Sequence, residues 1–465
     1  MLELVQVTLK KGGSNMPAKV AVEGPVGRGA EGDVYFTRDG KYAVKVYHGL
    51  APERERLLEY VMGLFRSLSH SDERYILPPL ALVDRLGNEP RVGFVMRRAP
   101  EQARELATLV MSPREAASQF QSGRTWADYL KVARDVATAL MVLHGKGCAH
   151  SDIHYSNFLA DLREGSAVML EADGIVVPGF LPPHVAGMAG FMAPEIITRG
   201  EKPNERTDRH SMAVLILHTL LFRNVMQPRV EWDNDLQRSE ELGWGEKALF
   251  SEHPSDRTNR PSTLGVPLFE KGCLSYKMLP PPLQELTERA FIIGLHDPDK
   301  RPSSREWEEE LAFAVDVLYR CVRCGMYFPY PYWLQPLERR RCPFCGTSVA
   351  KPAPHVLRLY DPSGHSYYGT SRRLVLGHGF QIFADVVDPM RMPPHSRKSE
   401  PSVGHLEWDQ TRLSWRLVND SPGEISIVGA DGLTASRLSR GQSASLARGS
   451  RIQFGAGSRI LVVEE

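Results

Sequence analysis

His150-Ser151-Asp152-Ile153-His154-Tyr155-Ser156-Asn157-Phe158-Leu159 reads as His-x-Asp, four residues, Asn, then two apolar residues. An apolar, helix-forming run precedes it (Tyr129 to Leu143), and an acidic, strand-like run follows (Ala167 to Asp173). The spacing lets one loop hold a carboxylate and an amide around a single phosphoryl-transfer site. Asp152 would accept the proton of an attacking hydroxyl, and the Asn157 amide oxygen would bind Mg²⁺. Alone, the pattern also suits a polar loop capping a helix, so the rest of the chain decides.

Upstream, Gly27-Arg28-Gly29-Ala30-Glu31-Gly32-Asp33-Val34 has the pattern Gly-x-Gly-x-x-Gly-x-Val between strand-like runs, Val20 to Val22 and Val34 to Phe36. A dinucleotide-binding turn would run into a helix, with an acid about 20 residues on. Here Tyr42 to Tyr47 follows at once and alternates around Lys45, which favours a hairpin followed by a strand. Gly27, Gly29 and Gly32 would let backbone amides approach nucleotide phosphates with no Cβ in the way. Lys45 would reach the α and β phosphates. Pro52 to Leu68 is an amphipathic helix, Arg91 to Arg98 a strand, and Thr125 to His144 a helix stopped at Gly145 and Gly147. Ala193-Pro194-Glu195, Asp208 before an apolar helix (Met212 to Leu221), and Arg301 before a helix (Ser303 to Arg320) complete the order.

Across residues 18 to 320 these motifs, in this order, resemble the protein kinase family. The resemblance implies an α+β two-lobed fold with ATP in the cleft: a small lobe over residues 1–98 and a helical lobe over 99–320. Gly27, Gly29, Gly32, Val34 and Lys45 would hold ATP, its adenine lying against Phe94 to Arg97, with Phe94 and Met96 among its contacts. Lys45 would pair with a glutamate, Glu59 by first choice or Glu55. Asp152 would orient and deprotonate the acceptor hydroxyl. Asn157 and Asp173 would hold Mg²⁺; strand alternation also allows Glu171 in place of Asp173. Glu195 would pair with Arg301, and Asp208 would brace the catalytic loop.

Departures from the family pattern bear on regulation. Serine, not arginine, precedes Asp152, and Asp173 to Glu195 contains no Ser, Thr or Tyr. With neither phosphate acceptor nor arginine receiver, activation-loop phosphorylation is not the expected switch. His154 stands where Ser/Thr kinases usually have lysine. A pseudokinase scaffold, binding partners through its later domains, is therefore the alternative to an active Ser/Thr protein kinase. A small-molecule kinase is a third reading, disfavoured by the Ala-Pro-Glu segment.

The chain has 465 residues, 42% hydrophobic and 24% charged, with net charge +1, which argues against a global pull to nucleic acid or membrane. The N-terminus alternates like a strand rather than a signal peptide, and the apolar run Ser211 to Phe222 is too short to span a bilayer. A cytoplasmic protein is the expectation. Cys321 and Cys324, then Cys342 and Cys345, form two Cys-x-x-Cys pairs separated by 17 residues. That spacing predicts a closed tetrahedral Zn²⁺ site over residues 321–350; it resembles a zinc ribbon. The aromatics between the pairs, with Arg339-Arg340-Arg341, are read as a small domain covering its hydrophobic face, its arginines solvated, in preference to a nucleic-acid surface.

After the linker Lys351 to Pro354, short alternating strands between turns predict an all-β sandwich over residues 355–465. Residues 371 to 463 faintly resemble a forkhead-associated domain, with Gly377-His378 where Gly-Arg would be expected. Pro389 to Pro401 reads as a mobile loop. The order kinase, ribbon, sandwich looks like bacterial kinases of tellurite-resistance and stress triads. That implies a protein substrate and, as partners, a von Willebrand A domain protein and a PP2C-type phosphatase.

Overall fold

The computed structural model describes residues 3–9, 19–29, 31–50, 52–170, 174–180, 187–377 and 379–465. The chain forms two compact units: residues 1–124, 132–261 and 286–308, and residues 125–131, 262–285 and 309–465. These bounds run across the four segments expected from sequence, because residues 262–285 join the cysteine pairs and sandwich in one unit.

In the first unit, β1 (Glu3–Leu9), β2 (Lys19–Arg28), β3 (Gly32–Thr37), β4 (Tyr42–Tyr47), β5 (Ala81–Leu86) and β6 (Glu89–Arg97) are antiparallel. The order β1-β2-β3-β4-β6-β5 closes on itself where β1 pairs β5. Val22, Val44, Val46, Val83 and Val95 fill the interior. Strand alternation then turns Lys45 and Tyr47 to the other face. Helix α1 (Pro52–Phe65) buries Leu57, Leu58, Val61 and Phe65. It stops short of the expected Leu68, after Gly63.

The helical part is built on Trp126–Gly145 and Glu205–Leu221. Asn204 and Thr207 form a capping box at the second helix, which is buried almost throughout. The expected strand over Ala167 to Gly174 is shorter: Ser166–Met169 pairs with Phe158–Asp161, and Ile175–Val176 pairs with Ala149–His150. The helix expected over Ser303 to Arg320 ends at Phe313. Leu318–Arg320 instead pairs with Tyr327–Pro329, because this Leu-Tyr run serves the hairpin carrying the first cysteine pair.

Besides the 318–320/327–329 pair, the second unit contains two larger antiparallel sheets. One has the order 366–376, 355–363, 460–463, 451–453, 425–428, 435–438; the other, 381–383, 402–409, 414–419, 443–445. Leu357, Leu374, Ile382, Leu406, Trp415, Leu417, Ile425, Ile452 and Leu461 pack between them. The Pro389 to Pro401 segment is anchored at Arg397, whose guanidinium meets Asp385 and Asp316, both buried.

His218 lies inside the first unit, its ring stacked on Phe191 at 6.1 Å and edge-on to Tyr155 at 5.4 Å. Burial pushes its imidazole down to about 4 from 6.5. The unfolded chain therefore takes up this proton first. The contribution is complete above pH 6.5 and is lost as pH falls toward 4, about 2 kcal/mol by pH 5. His210 and His296 are also held low, chiefly by burial. His218→Phe keeps the stack but removes one share. Denaturant midpoints at pH 7.5 and pH 5 should show the variant losing about 2 kcal/mol less than the parent; equal losses would refute the assignment.

Candidate active site

Gly27, Gly29, Gly32, Val34, Lys45, Ser151, Asp152, Asn157, Leu170 and Gly174 line one cleft of about 400 Å³. Two stretches more than a hundred residues apart in sequence thus meet in one place. The β3 glycine is required by close approach: a Cβ on Gly32 would lie 2.5 Å from the Val46 carbonyl oxygen. Gly29 N–H donates to the Gly32 carbonyl at 2.9 Å, closing the loop.

Across the sheet, Val34, Lys45 and Phe94 occupy one register row. Val34 and Lys45 face the cleft. Phe94, fully buried, meets Tyr47 at 6.4 Å, and Met96 is 8% exposed two rows on, opposite Ala43. Neither Phe94 nor Met96 is in the cleft lining, so any adenine contact there would fall to their backbone. Gly93 was missed in the sequence, although a glycine inside a strand is a signal of close approach. A Cβ there would sit 2.2 Å from the Lys45 carbonyl oxygen. Lys45 itself is 8% exposed, its ammonium 5.4 Å from the Tyr47 ring centre. Glu59 is exposed and Glu55 half-buried on α1. Leu170, Glu105 and Arg54, which belong to no motif, also line the cleft, with Arg28 and Glu31 from the variable positions of the glycine loop.

The loop around Asp152 is held from both sides. His150 N–H donates to Asp208 Oδ2 at 2.9 Å, and His144 Nε2 meets the same oxygen at 3.0 Å. Ser151 N–H donates to the Gly174 carbonyl at 2.8 Å. A Cβ on Gly174 would come within 2.5 Å of the His150 ring, which explains glycine there. Ser156 N–H donates to His154 Nδ1 at 3.1 Å, so in the neutral ring the proton sits on Nε2 and is shared with Asp152 Oδ2 at 3.1 Å. The Asn157 amide donates to the Asp152 carbonyl at 2.7 Å and to Oδ2 at 3.3 Å. Asp152 Oδ1 has no hydrogen-bond partner among the described residues. Burial pushes this carboxyl up, but the hydrogen bond and charge of His154, the charge of His150 and the Asn157 amide outweigh it, leaving it below its ordinary value. One oxygen is fixed and the other is uncommitted, on a group that stays ionised. Asp173 and Glu171 lie outside the described residues.

No protein-family model matches the chain. Among curated proteins, the chain is similar to Protein kinase YegI of Escherichia coli strain K12, 22% identical over 329 residues, 69% of this chain and 47% of that protein. It is also similar to the L-type lectin-domain containing receptor kinase V.7 of Arabidopsis thaliana, 30% identical over 145 residues, 28% of this chain and 22% of that protein. A solved rhoptry kinase from Toxoplasma gondii shares 14% identity and a TM-score of 0.45, covering 68% of this chain and 83% of its own. The curated relatives support a likeness to the protein kinase family over the residues they match. The chain spans about half the length of the Escherichia coli relatives it matches.

Ser151 is buried, and its hydroxyl donates to the Gly174 carbonyl at 3.2 Å. Phe180, between Gly174 and Glu195, stacks on Tyr60 of α1 with ring centres 4.4 Å apart. Glu195 and Arg301 meet through two hydrogen bonds of 2.7 and 2.8 Å, both side chains buried. No described helix is long and apolar enough to cross a membrane.

In the second unit, the sulfurs of Cys321, Cys324, Cys342 and Cys345 all lie within 4.8 Å of one another. Cys321 and Cys345 are 3.6 Å apart, Cys324 and Cys342 3.7 Å. Tetrahedral zinc–thiolate bonds of about 2.3 Å require about the same separation. A disulfide needs about 2.05 Å. The four thiols therefore fit a metal. The middle arginine of Arg339-Arg340-Arg341 is not solvated as expected. Arg340 is 1% exposed, bound to Glu465 at 2.7 Å, the Tyr330 hydroxyl at 2.8 Å and the Tyr332 carbonyl at 3.0 Å.

Proposed function

We propose that the chain is an ATP-dependent protein kinase that transfers the γ-phosphoryl group to Ser or Thr of a partner protein. The observation that carries this reading is the convergence of Lys45, the glycine loop, Asp152 and Asn157 on one cleft. The loop at Gly27, Gly29 and Gly32 lets the phosphates approach its backbone with no Cβ in the way, and Lys45 supplies charge to them. Asp152, with Oδ2 held, turns Oδ1 to the acceptor hydroxyl and takes its proton as the new O–P bond forms and the bond to ADP breaks. Asn157, with Asp173 or Glu171, would hold Mg²⁺, whose charge offsets that of the phosphates when bound. Glu59 or Glu55 would steady Lys45. The Phe180–Tyr60 stack supports a segment that needs no phosphorylation to hold its place. The test is label transfer from γ-labelled ATP with Mg²⁺, alone and with candidate partners. Labelled protein is expected; ATP binding without transfer in any mixture would replace the kinase with a pseudokinase scaffold.

The cysteine cluster is proposed to hold structural Zn²⁺, as its sulfur separations and closed ligand set suggest. Purified protein should carry one equivalent of zinc per chain by elemental analysis, and Cys342→Ser should lose it. Chelation should loosen the Cys321–Cys345 hairpin, because binding energy at such sites is folding energy. A metal-free protein with an unchanged melting profile would refute the site. From the resemblance in domain order, a von Willebrand A domain protein and a PP2C-type phosphatase are the proposed partners; a cytoplasmic location is proposed from the strand-like N-terminal pattern and the shortness of the apolar run Ser211 to Phe222.

A further inference from the structure

One cavity of the second unit lies beside the cysteine cluster and has no part in the cleft chemistry. It is a groove of about 680 Å³ between residues 265–278 and the cysteine module. Its two walls are joined by backbone: Leu268 N–H donates to the Pro343 carbonyl at 3.0 Å, and Phe269 N–H to the Phe344 carbonyl at 2.9 Å. The Phe269 and Phe344 rings meet at 5.8 Å. The groove is therefore preformed.

Its lining has a marked charge pattern. Arg323, Arg339, Arg341 and Lys277 are exposed there, against one carboxylate, Glu270. Arg323, Arg339 and Arg341 make no ion pair among the described residues. The buried fixture of Arg340 explains the display: with its side chain turned inward to Glu465, its two neighbours turn outward. Between the cations lie apolar groups, Val266 and Leu334 each 38% exposed, with Pro329 and Pro331 beneath. Unpaired guanidinium groups suit carboxylates, which they hold through forked hydrogen bonds. Exposed apolar side chains between them suit the alternate residues of an extended chain. Single-stranded nucleic acid would need an exposed stacking surface, and the one aromatic side chain in the lining, Phe328, is 2% exposed.

We propose that this groove docks an acidic, leucine-bearing linear segment of a partner protein. The claim does not depend on catalysis, so binding tests it directly. The probe is a fluorescein-labelled ten-residue peptide of alternating glutamate and leucine, titrated with full-length protein. A peptide with lysine for glutamate and a labelled uridine ten-mer run beside it. The acidic peptide should bind saturably and lose affinity as salt rises from 50 to 300 mM, as charge-led contacts do. Arg339→Glu/Arg341→Glu should weaken it at least tenfold, and so should Val266→Asp, which leaves every arginine in place. Unchanged metal content and melting profile in the variants would show that the fold survives. No saturable binding, equal binding of the lysine peptide, tighter binding of the uridine ten-mer, or affinity unmoved in folded variants would each overturn the proposal.

Discussion

Asp152→Asn should lower kcat for phosphoryl transfer by about 10³-fold, within the range that a positioned general base contributes, while leaving the KM for ATP within about twofold. The substitution keeps the size and shape of the side chain. An asparagine carbonyl could still accept from His154 Nε2 and Asn157, so the loop should hold. What disappears is the ionised oxygen, Oδ1, left uncommitted by every described neighbour. ATP affinity should persist because Lys45 and the glycine loop are untouched. Single-turnover rates and equilibrium ATP binding separate the two quantities. A variant that transfers phosphate at parental rate would exclude Asp152 as the base. A variant that loses ATP binding as well would mean that the loop had collapsed.

The wild-type pH profile follows from the same surroundings. His154, His150 and Asn157 keep the carboxyl below its ordinary value of 3.8, despite burial. Asp152 is then ionised through the weakly acidic range, and any fall in rate between pH 7 and pH 5 must come from another group.

The cleft was legible in the sequence because its parts are short motifs with fixed chemistry. A glycine loop must be glycine where a strand backbone passes close by, as at Gly32. A carboxylate and an amide share one loop at fixed spacing, as at Asp152 and Asn157. Leu170 escaped because it lines the cleft as a half-buried residue outside any motif, and Gly93 because its close approach to the Lys45 backbone shows only in the strand register. The sandwich was legible where both alternate residues and turn signals were strong, as at Ile425–Val428 and Ile460–Val463. Strands such as Ala435–Leu438 were missed; three of its four residues are exposed, so no apolar alternation marks them. The end of the helix at Phe313 was hidden because Val315 to Leu318 is apolar enough for a helix. Its hairpin partner, Tyr327–Pro329, is set by the cysteine module downstream. Arg340 was misread for a related reason: three consecutive arginines look alike until Glu465 picks one of them.

Arg301→Met should destabilise the first unit by about 3–5 kcal/mol, the usual cost of leaving a buried charge without its partner. All five guanidinium N–H groups are engaged, with both Glu195 oxygens and the carbonyls of Gly294, Arg206 and Leu295. Removing them strands a carboxylate that is 2% exposed and takes a donor from the carbonyls of Gly294, Arg206 and Leu295. The double variant Glu195→Met/Arg301→Met should recover much of the loss, because the stranded charge goes with its partner; the guanidinium's bonds to those carbonyls stay lost, so recovery stays partial. Denaturant midpoints of the parent, both single variants and the double variant form the cycle. A loss below about 1 kcal/mol in Arg301→Met would show that water reaches Glu195 and that the pair is not closed. Position adds a second consequence. Glu195 opens the helix Pro194–Arg199, directly after the segment that carries Phe191 over Tyr155. Tyr155 lies in the same loop as Asp152. If the ion pair fixes the end of that segment, the double variant should recover stability more fully than phosphoryl transfer. Apolar packing can fill the space around two methionines, but it has no direction with which to aim the loop.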